Sequence, residues 1–251
     1  MKPRVLIIGF GLMGGSAGLA LRARGWHVAF VDERVPFEGK ARAAADEKLE
    51  SPRDEEVVLL ATHVDGAVAL LPDLKTHGVI TSLCSVMRPL RAVAPPNFVA
   101  GHPMAGSHLS GLDHAHATLY RDRPWFLDAR DERVERLLAD CGAHARHTTA
   151  GEHDAAVALT SHLPQILSTA LAAHLSDKNL DAFAGPGLHD FLRLAGSSAE
   201  MWLPILNANR DHLTAHAAAI NTLVQEILKG AGEDVFARAN RWQRDGDDVD
   251  S

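Results

Sequence analysis

The segment that begins at Arg4 constrains the fold of this chain more than any other. A short apolar run, Arg4–Ile8, leads directly into Gly9-Phe10-Gly11-Leu12-Met13-Gly14, which matches the pattern G-x-G-x-x-G. Apolar residues then recur at helical spacing as far as Leu21, and Gly25 ends the predicted helix. Glycines in this pattern, after a strand and at the start of a helix, are typical of a dinucleotide-binding turn.

Each residue of this turn has an expected part in holding a dinucleotide. Gly9 permits the tight turn, Gly11 lets the pyrophosphate approach the backbone, and Gly14 allows the helix to pack closely against the strand. The N-terminus of the helix offers unpaired N–H groups and a partial positive charge to the phosphates. We therefore predict cofactor contacts from these glycines and from Leu12 and Met13. A glycine turn that binds no ligand is the alternative.

Asp32 closes the second predicted strand, 18 residues beyond Gly14. A carboxylate at this place can accept hydrogen bonds from the adenosine ribose hydroxyls and would repel a 2′-phosphate. NAD is therefore favoured over NADP as the cofactor. Arg34 keeps the alternative open, because an arginine near the second strand can accommodate the 2′-phosphate.

Short apolar runs alternate with helical patterns along the first 150 residues. Continuous apolar strands between helices are typical of a parallel sheet that is covered on both faces. The predicted strands are Arg4–Ile8, His27–Val31, Glu56–Ala61, Val79–Leu83, Asn97–Ala100, Trp125–Asp128 and Ala143–His147.

From about Gly151 onward the pattern is helical. Helices are predicted at Asp154–Ser176, Asp181–Leu194, Ala199–Asn207 and Asp211–Lys229. The predicted fold class is α/β, with a Rossmann-type, doubly wound parallel sheet domain over residues 1–150 and an all-helical domain over residues 151–251. The polar, acidic tail Arg244–Ser251 is expected to be frayed.

Composition narrows the possible partners. A net charge of -7 and a pI near 6.1 do not indicate nucleic-acid binding. No apolar run approaches the roughly 20 residues that span a bilayer, and the N-terminal run is too short for a signal peptide. The two cysteines are too few for a disulfide framework. These features predict a cytoplasmic protein without nucleic-acid or membrane partners.

The histidines raise the alternative of a metal site. His114 and His116, with His102 and His108 nearby, resemble a cluster of ligands. However, neither cysteines at metal-type spacing nor an H-E-x-x-H pattern accompanies them. We therefore expect no metal.

Three further groups of residues carry a resemblance to a known family. They are Gly101-His102-Pro103-Met104-Ala105-Gly106-Ser107 with Ser110-Gly111, then His153-Asp154 with Ser161-His162-Leu163-Pro164, and finally Asp190-x-x-Arg193 with Glu200-Met201-Trp202 and Asn207-x-Asn209-Arg210. In this order they resemble the motifs of the prephenate and arogenate dehydrogenases, the TyrA family. The resemblance extends from residue 4 to about residue 230.

The resemblance implies the NAD-dependent oxidative decarboxylation of a cyclohexadienyl acid in tyrosine biosynthesis. Hydride leaves the ring carbon that bears the hydroxyl, carbon dioxide is lost, and the ring becomes aromatic. The site must remove the hydroxyl proton and aim the hydride. The product is 4-hydroxyphenylpyruvate if the substrate is prephenate, or tyrosine if it is arogenate.

The same resemblance implies roles for individual residues. His102 is the base or hydrogen-bond acceptor for the ring hydroxyl, which suits an imidazole, and Ser85 helps to hold that hydroxyl. Arg193 binds a substrate carboxylate, while His162 and Gln165 are expected at the substrate side of the cleft. The alternatives are a structural His102, Ser85 as a helix N-cap, an ion pair of Arg193 with Asp190 and core packing of His162 and Trp202.

Several residues depart from the family pattern. Gln165 replaces a second histidine, Met87 replaces a lysine, Ser82 replaces an aspartate, His108 replaces a glutamate and His189 replaces an arginine. Because glutamine cannot carry positive charge, the choice between prephenate and arogenate stays open. The histidines at 108 and 189 can become cationic at mildly acid pH, which predicts a pH-sensitive activity.

Two other functions remain as alternatives. A β-hydroxyacid dehydrogenase shares the two-domain layout but relies on a helical-domain lysine, and only Lys178 and Lys229 lie there, neither in a glycine-rich context. A catalytically inactive NAD-binding regulator would bind the cofactor without turnover.

The family resemblance also implies a homodimer that forms through the helical domain. The predicted helix Asp211–Lys229 has an apolar stripe that suits such an interface, although the same stripe can pack internally. The stripe consists of Leu213, Ala217, Ile220, Val224 and Leu228.

Overall fold

A computed structural model of the chain describes residues 2–106 and 109–247. Its centre is a six-stranded, fully parallel sheet with the strand order β3-β2-β1-β4-β5-β6. The strands β1 to β6 are Arg4–Ile8, His27–Val31, Glu47–Lys48, Val57–Leu60, Val79–Ser82 and Phe98–Val99. Because β1 pairs with both β2 and β4, the order reverses beside β1 and leaves a crevice at the carboxyl ends of these strands.

Helices cover both faces of this sheet, as the apolar strands predict. Val5 and Ile7 of β1 belong to one buried cluster, and Leu6 and Ile8 belong to another. Successive side chains of a strand point to opposite faces, so this division places apolar packing on each side. The helices α1 to α5 are Leu12–Ala23, Gly39–Ala44, Val64–Leu70, Arg88–Val93 and Glu132–Asp140.

A second sheet of three strands lies beside the first. Its strands β7 to β9 are Gly101–Pro103, Pro124–Leu127 and His144–His147, and β7 runs antiparallel to β8. The sequence predicted the last two strands but placed them in a single parallel sheet, which is wrong. The prediction also missed β7, because its three residues include a glycine and a proline, and β3, because its two residues are both charged.

The chain is helical after β9. Helices α6 to α11 are Ala150–Val157, Leu163–Leu175, Pro186–Leu192, Ala199–Ala208, Arg210–Leu228 and Glu233–Asp247. A π-helical turn, Ala158–His162, joins α6 to α7. The predicted helix Asp181–Leu194 is shorter in the structure because Gly185-Pro186 starts α8 anew. Helix α11 was not predicted, and it extends four residues into the segment expected to be frayed.

The helical part buries little apolar surface of its own. Its separate core consists of Ala158, Leu163 and Leu213, with a few partly buried neighbours. In the predicted α10 stripe, Leu213 is 5% exposed and packs internally, whereas Leu228 is 73% exposed. Other large apolar side chains exposed in this part are Leu159, Leu180, Phe183, Phe191, Leu203, Val224, Ile227, Phe236 and Trp242.

The helical stretch 150–175 is long and apolar enough to cross a membrane by length and composition alone. The sequence analysis did not single it out. Core helices of soluble proteins meet the same criteria, and this stretch contains His153, Asp154 and His162, which are buried against other parts of the chain. In the structure 33% of the 18-residue apolar window is buried, and one helix of this kind is weak evidence of a membrane span.

Candidate active site

The glycine turn between β1 and α1 is shaped by close backbone contacts. Gly9 has φ +92°, and a Cβ atom on it would lie 2.7 Å from the carbonyl oxygen of Ala61 after β4. A Cβ atom on Gly14 would lie 2.1 Å from the Gly9 oxygen. Only glycine fits at these two positions, because each contact is with rigid backbone.

Gly11 differs from the other two because the space around it is open. It is the N-cap of α1, and apart from its chain neighbours no heavy atom of the described residues lies within 4 Å of where its Cβ would be. Leu12 is buried, and the carbonyl oxygen of Met13 accepts a hydrogen bond from the hydroxyl of Tyr120 at 2.7 Å. The hydrogen bond from Tyr120 thus fixes the first turn of α1, while the space at Gly11, where a phosphate would approach, is open.

Asp32 lies at the end of β2 and is tied to the glycine turn. Its Oδ2 accepts a hydrogen bond from Phe10 N at 2.7 Å, and its Oδ1 accepts from Arg34 N at 2.9 Å and Val35 N at 3.2 Å. A carboxylate offers about four acceptor positions, so Asp32 retains capacity for a further donor. Both features agree with a carboxylate that is held in position beside the turn.

His102 lies in β7 and is 9% exposed. Its Nδ1 is 2.9 Å from Nε2 of His153, and Nδ1 of His153 is 2.8 Å from Oδ1 of Asp154. Burial, with the nearby imidazoles of His153 and His162, lowers the pKa of His102 to about 3. The ring is therefore neutral at pH 7 and can accept a hydrogen bond. An unburied imidazole has a pKa of 6.5, so the difference comes from contacts that the sequence alone does not reveal.

Asp154 is buried at the junction of the sheet and the helices. Its carboxylate accepts hydrogen bonds from Met87 N at 2.8 Å and Arg88 N at 2.9 Å, which are the first N–H groups of α4. Burial alone would raise its pKa, but the hydrogen bonds from His153, Arg88 and Met87 lower the pKa below the ordinary value. These donors therefore keep a buried carboxylate ionised.

Asn209 connects this cluster to His162. The Oδ1 of Asn209 accepts from Arg88 Nη2 at 3.0 Å, which fixes the orientation of the amide. Its Nδ2 donates to the Asp154 carbonyl oxygen at 2.7 Å and lies 3.2 Å from Nδ1 of His162. Since Nδ2 is a donor, Nδ1 of His162 accepts, and the neutral ring carries its proton on Nε2. That buried Nε2 has no hydrogen-bond partner among the described residues.

His162 also packs edge-on against Trp202, with ring centroids 5.9 Å apart. Burial lowers the pKa of His162 to about 4, so this ring is neutral at pH 7 as well. The π-helical turn that ends at His162 sets its direction, and such turns are frequent at functional sites. The ring of His162 thus packs in the core, as the alternative expects, while its Nε2 is a donor with no acceptor in the described part of the chain.

Gln165 is 3% exposed and lies one turn beyond His162. Its Nε2 donates to Thr169 Oγ1 at 3.0 Å and to the Leu194 carbonyl oxygen at 2.9 Å. Its Oε1 is buried and has no partner in the described part of the chain. The amide nitrogen of Gln165 is therefore already in use, and the group that Gln165 can offer to a ligand is its oxygen, a hydrogen-bond acceptor.

Arg193 stands in the 3-10 turn after α8 and is exposed. Among the described residues, Arg193 forms no ion pair with Asp190, so that alternative is not observed. The neighbouring residue Leu194 receives the Gln165 amide, so Arg193 and Gln165 lie at the same end of the helical part.

Ser85 is half-buried between β5 and α4. The N-cap alternative for Ser85 is wrong, because the N-cap of α4 is Met87 and the Asp154 carboxylate accepts from the first N–H groups. Ser85 thus lies two residues before Met87, whose backbone N–H binds Asp154, and is not itself the cap.

The positions that depart from the family pattern have different environments. Met87 is fully buried. Ser82 is 1% exposed, and its hydroxyl donates to the Gly101 carbonyl oxygen at 3.0 Å, directly before His102. His189 is exposed, and His108 lies outside the described residues. The predicted pH-sensitivity from the last two histidines stays a prediction.

The sequence analysis assigned no role to four residues that organise the site: Arg88, His153, Asp154 and Asn209. His153-Asp154 and Asn209 do occur in the motifs that carry the family resemblance, so a signal existed. Their contacts join segments far apart in the chain, which spacing alone does not reveal.

As for the metal alternative, no group of three or more His, Cys, Asp or Glu side chains suited to a metal occurs within residues 2–106 and 109–247.

A parallel sheet of this strand order, with a glycine turn at its switch point, defines the Rossmann class of dinucleotide-binding folds. The chain matches two family models, "Prephenate dehydrogenase, nucleotide-binding domain" over residues 17–146 and "Prephenate dehydrogenase, dimerization domain" over residues 149–239. The chain therefore belongs to the prephenate dehydrogenase family.

Known proteins resemble it along most of its length. A prephenate dehydrogenase of Bacillus subtilis is 29% identical over 85% of this chain, and this chain spans 66% of that protein's length, just under two thirds. A cyclohexadienyl dehydrogenase of Zymomonas mobilis is 26% identical, with 88% of each chain covered. The crystal structure of prephenate dehydrogenase from Aquifex aeolicus in complex with hydroxyphenyl propionate and NAD+ has a TM-score of 0.81, with 24% identity and 99% of each chain covered, and shows the same fold.

The neutral, buried histidines predict a loss of stability on acidification. The pKa values of His102 and His162 fall from 6.5 to about 3 and about 4 on folding, so below pH 6.5 the unfolded chain binds more protons. Their contribution is fully present above pH 6.5 and declines as the pH falls towards 4, by at most about 1.4 kcal/mol per pH unit for each ring. Urea unfolding at several pH values measures this slope.

The matched variants are His102→Asn and, at an exposed position, His174→Asn. The first should reduce the slope between pH 4 and 6.5 by up to one proton equivalent, whereas the second should leave it unchanged. An unchanged slope in His102→Asn would contradict the burial of a neutral imidazole.

Proposed function

We propose that this chain catalyses the NAD-dependent oxidative decarboxylation of prephenate to 4-hydroxyphenylpyruvate, a step of tyrosine biosynthesis. The observation that carries the proposal is His102, a buried neutral imidazole held by His153 at the carboxyl-end side of a dinucleotide-binding sheet. Membership of the prephenate dehydrogenase family and the titles of the similar proteins support the same reaction.

The residues of the glycine turn fit NAD. Gly9 and Gly14 allow the turn to close, the open space at Gly11 admits a pyrophosphate, and Leu12 and Met13 begin the helix whose N–H groups face it. Asp32 is fixed beside the turn and has acceptor capacity for ribose hydroxyls, which favours NAD over NADP. When bound, NAD supplies the acceptor for the hydride of the substrate ring.

His102 would act on the ring hydroxyl. As hydride leaves the hydroxyl-bearing carbon, the bond to the ring carboxylate breaks, carbon dioxide departs, and its electron pair completes the aromatic ring. The hydroxyl becomes a phenol and retains its proton in the product, so a strong base is not required. A neutral imidazole that accepts a hydrogen bond stabilises the positive charge that develops at this oxygen, and an imidazole with a pKa of about 3 stays in that form.

Ser85 and Arg193 complete the proposed substrate contacts. Ser85, after β5, would hold the same hydroxyl as His102. The exposed Arg193 would bind a substrate carboxylate, since its planar guanidinium can form two parallel hydrogen bonds. His162 would donate its unpartnered Nε2–H to an acceptor on the substrate or the cofactor.

Arogenate is the second candidate substrate, and Gln165 favours it. Arogenate carries an ammonium group where prephenate carries a keto group on the side chain. The Gln165 amide nitrogen already donates to Thr169 and Leu194, and the buried Oε1 has no donor among the residues that the structure describes. An unpaired acceptor suits an ammonium group better than a carboxylate.

We also propose that the chain is a cytoplasmic homodimer, with residues 1–150 as the nucleotide-binding domain and residues 151–251 as the helical domain. The family model that matches residues 149–239 is described as a dimerization domain. The exposed apolar side chains of α9 to α11 support an interface there, because a monomer rarely leaves so many uncovered.

Steady-state assays with prephenate or arogenate, each with NAD or NADP, test the reaction. We expect reduction of NAD with at least one of the two substrates. His102→Asn should lower kcat by about 10²–10⁴-fold, the usual contribution of such a group, while cofactor binding remains. Cofactor binding without turnover in the unmodified chain would instead support the inactive-regulator alternative.

A pair of glycine variants tests the cofactor site. Gly14→Ala should lower the free energy of unfolding by about 1–3 kcal/mol, because its Cβ would meet the Gly9 oxygen. Gly11→Ala should destabilise the chain far less but weaken NAD binding about tenfold or more, because its methyl group enters the open space. Urea unfolding and NAD titration measure the two effects, and equal effects of both variants on binding and stability would contradict the assignment.

A charge change at residue 165 tests substrate choice. Gln165→His, assayed near pH 6 where an imidazole is partly protonated, should raise the ratio of kcat/KM for prephenate to that for arogenate by about tenfold. The cation would attract a carboxylate and repel an ammonium group. Gln165→Met is the neutral control, and a similar ratio in both variants would exclude Gln165 from the substrate side chain.

A further inference from the structure

We propose that Asp154, acting through His153, fixes the tautomer of His102 so that the Nε2 lone pair is available to the substrate hydroxyl. Both are positioning residues for His102. The proposal rests on the proposed function for its catalytic consequence, but the tautomer itself can be measured without turnover.

The direction of the hydrogen bonds begins at Asp154. Its Oδ1 accepts from Met87 N, its Oδ2 accepts from Arg88 N, and the Arg88 Nε lies 3.4 Å from Oδ2. An ionised carboxylate has no proton to give. The contact of 2.8 Å between Asp154 Oδ1 and His153 Nδ1 therefore requires that His153 carry a proton on Nδ1.

The same direction continues to His102. A neutral His153 with its proton on Nδ1 has a lone pair on Nε2, and this atom lies 2.9 Å from Nδ1 of His102. His102 must donate there, so its own proton is on Nδ1 and its Nε2 is an acceptor. Among residues 2–106 and 109–247, no hydrogen bond of His102 uses Nε2.

The geometry leaves His153 little freedom to turn. Its side chain is 1% exposed, and its ring lies edge-on to His102 with centroids 5.0 Å apart and tilted against Phe126 at 5.6 Å. A ring flip would break both hydrogen bonds of the relay. The relay also joins β7 of the sheet part to α6 of the helical part, so the tautomer depends on how these two elements are seated.

The expected advantage is that Nε2 of His102 faces the substrate as a hydrogen-bond acceptor. In the opposite tautomer, Nε2 of His102 would carry a proton and would repel the donor hydroxyl. A carboxylate that orients a histidine has this effect in serine proteases, where its replacement by an amide leaves the geometry intact but reverses the tautomer and lowers kcat by about 10⁴-fold. Here one more imidazole transmits the effect.

Nitrogen-15 NMR of the histidine side chains in the complete chain tests the proposal directly. We expect a pyridine-type shift for Nε2 of His102 and a pyrrole-type shift for its Nδ1 at pH 7, with the signals assigned by their loss in His102→Asn. A pyrrole-type Nε2, as would follow if both nitrogens of His153 were protonated, would overturn the proposal. This outcome does not depend on whether prephenate is the substrate.

Substitutions then link the tautomer to the rate. In Asp154→Asn the amide nitrogen faces either the Arg88 N–H or the Met87 N–H and His153 Nδ1. In the second orientation His153 Nδ1 has to accept, so the wild-type shift pattern of His102 should be lost or split. The expected fall in kcat is about 10²-fold, at the lower end of what an acid or base group contributes, with KM nearly unchanged. Asp211→Asn, which changes the exposed partner of Arg88 and makes no hydrogen bond to His102 or His153 among the described residues, should alter neither the His102 shifts nor kcat.

Two variants at residue 153 keep the proposal testable if Asp154→Asn fails to fold. His153→Gln can still accept a hydrogen bond from Nδ1 of His102 through its amide oxygen, whereas His153→Met cannot. We expect the glutamine variant to retain about tenfold more kcat, or 1.4 kcal/mol of barrier, and to keep the pyridine-type Nε2 signal. Equal kcat values with unchanged His102 shifts in both variants would assign residue 153 a packing role only and would refute the relay.

Discussion

The buried carboxylate of Asp154 is the interaction on which the rest of the site depends. An ionised group without partners in a protein interior is strongly destabilising, by about 3–5 kcal/mol when a partner is removed. Asp154 avoids this by accepting from two backbone N–H groups at the start of α4 and from His153. The backbone donors belong to α4 of the sheet domain, and His153 belongs to α6 of the helical part. Satisfying this one charge therefore also fixes how the two parts of the chain meet.

The parallel sheet supplies the other half of the arrangement. The chain leaves β1 and β4 in opposite directions, and the near-contact of Gly9 with the Ala61 carbonyl marks the point of divergence. The glycine turn and the start of α4 both follow carboxyl ends of strands, so they open on the same side of the sheet. The two hydrogen bonds between Ser82 and Gly101, one donated by each residue, then hold β7 beside β5 and place His102 on this side as well.

Local signals explain what the sequence could predict. The strand Arg4–Ile8, the glycine turn and the helix after it were predicted closely because each depends on neighbouring residues, and the same holds for Ala199–Ala208. The short strand β7 has no such pattern, and the burial that lowers the pKa of His102 comes from residues about fifty positions away. The free acceptor of Gln165 likewise depends on a bond to Leu194, 29 residues later. Physical contacts of this range leave no periodic trace in a sequence.

His102 and His162 illustrate how one buried network can give two imidazoles opposite polarity. Asp154 can only accept, which makes the chain through His153 end in an acceptor at His102. The Asn209 amide, oriented by Arg88, donates to Nδ1 of His162 and leaves Nε2 as a buried donor that no described residue accepts from. An unmade hydrogen bond of this kind costs about 1–3 kcal/mol. A ligand that brings a hydroxyl donor to His102 and an acceptor to His162 would satisfy both, and a hydroxylated acid bound beside a dinucleotide would offer the two groups.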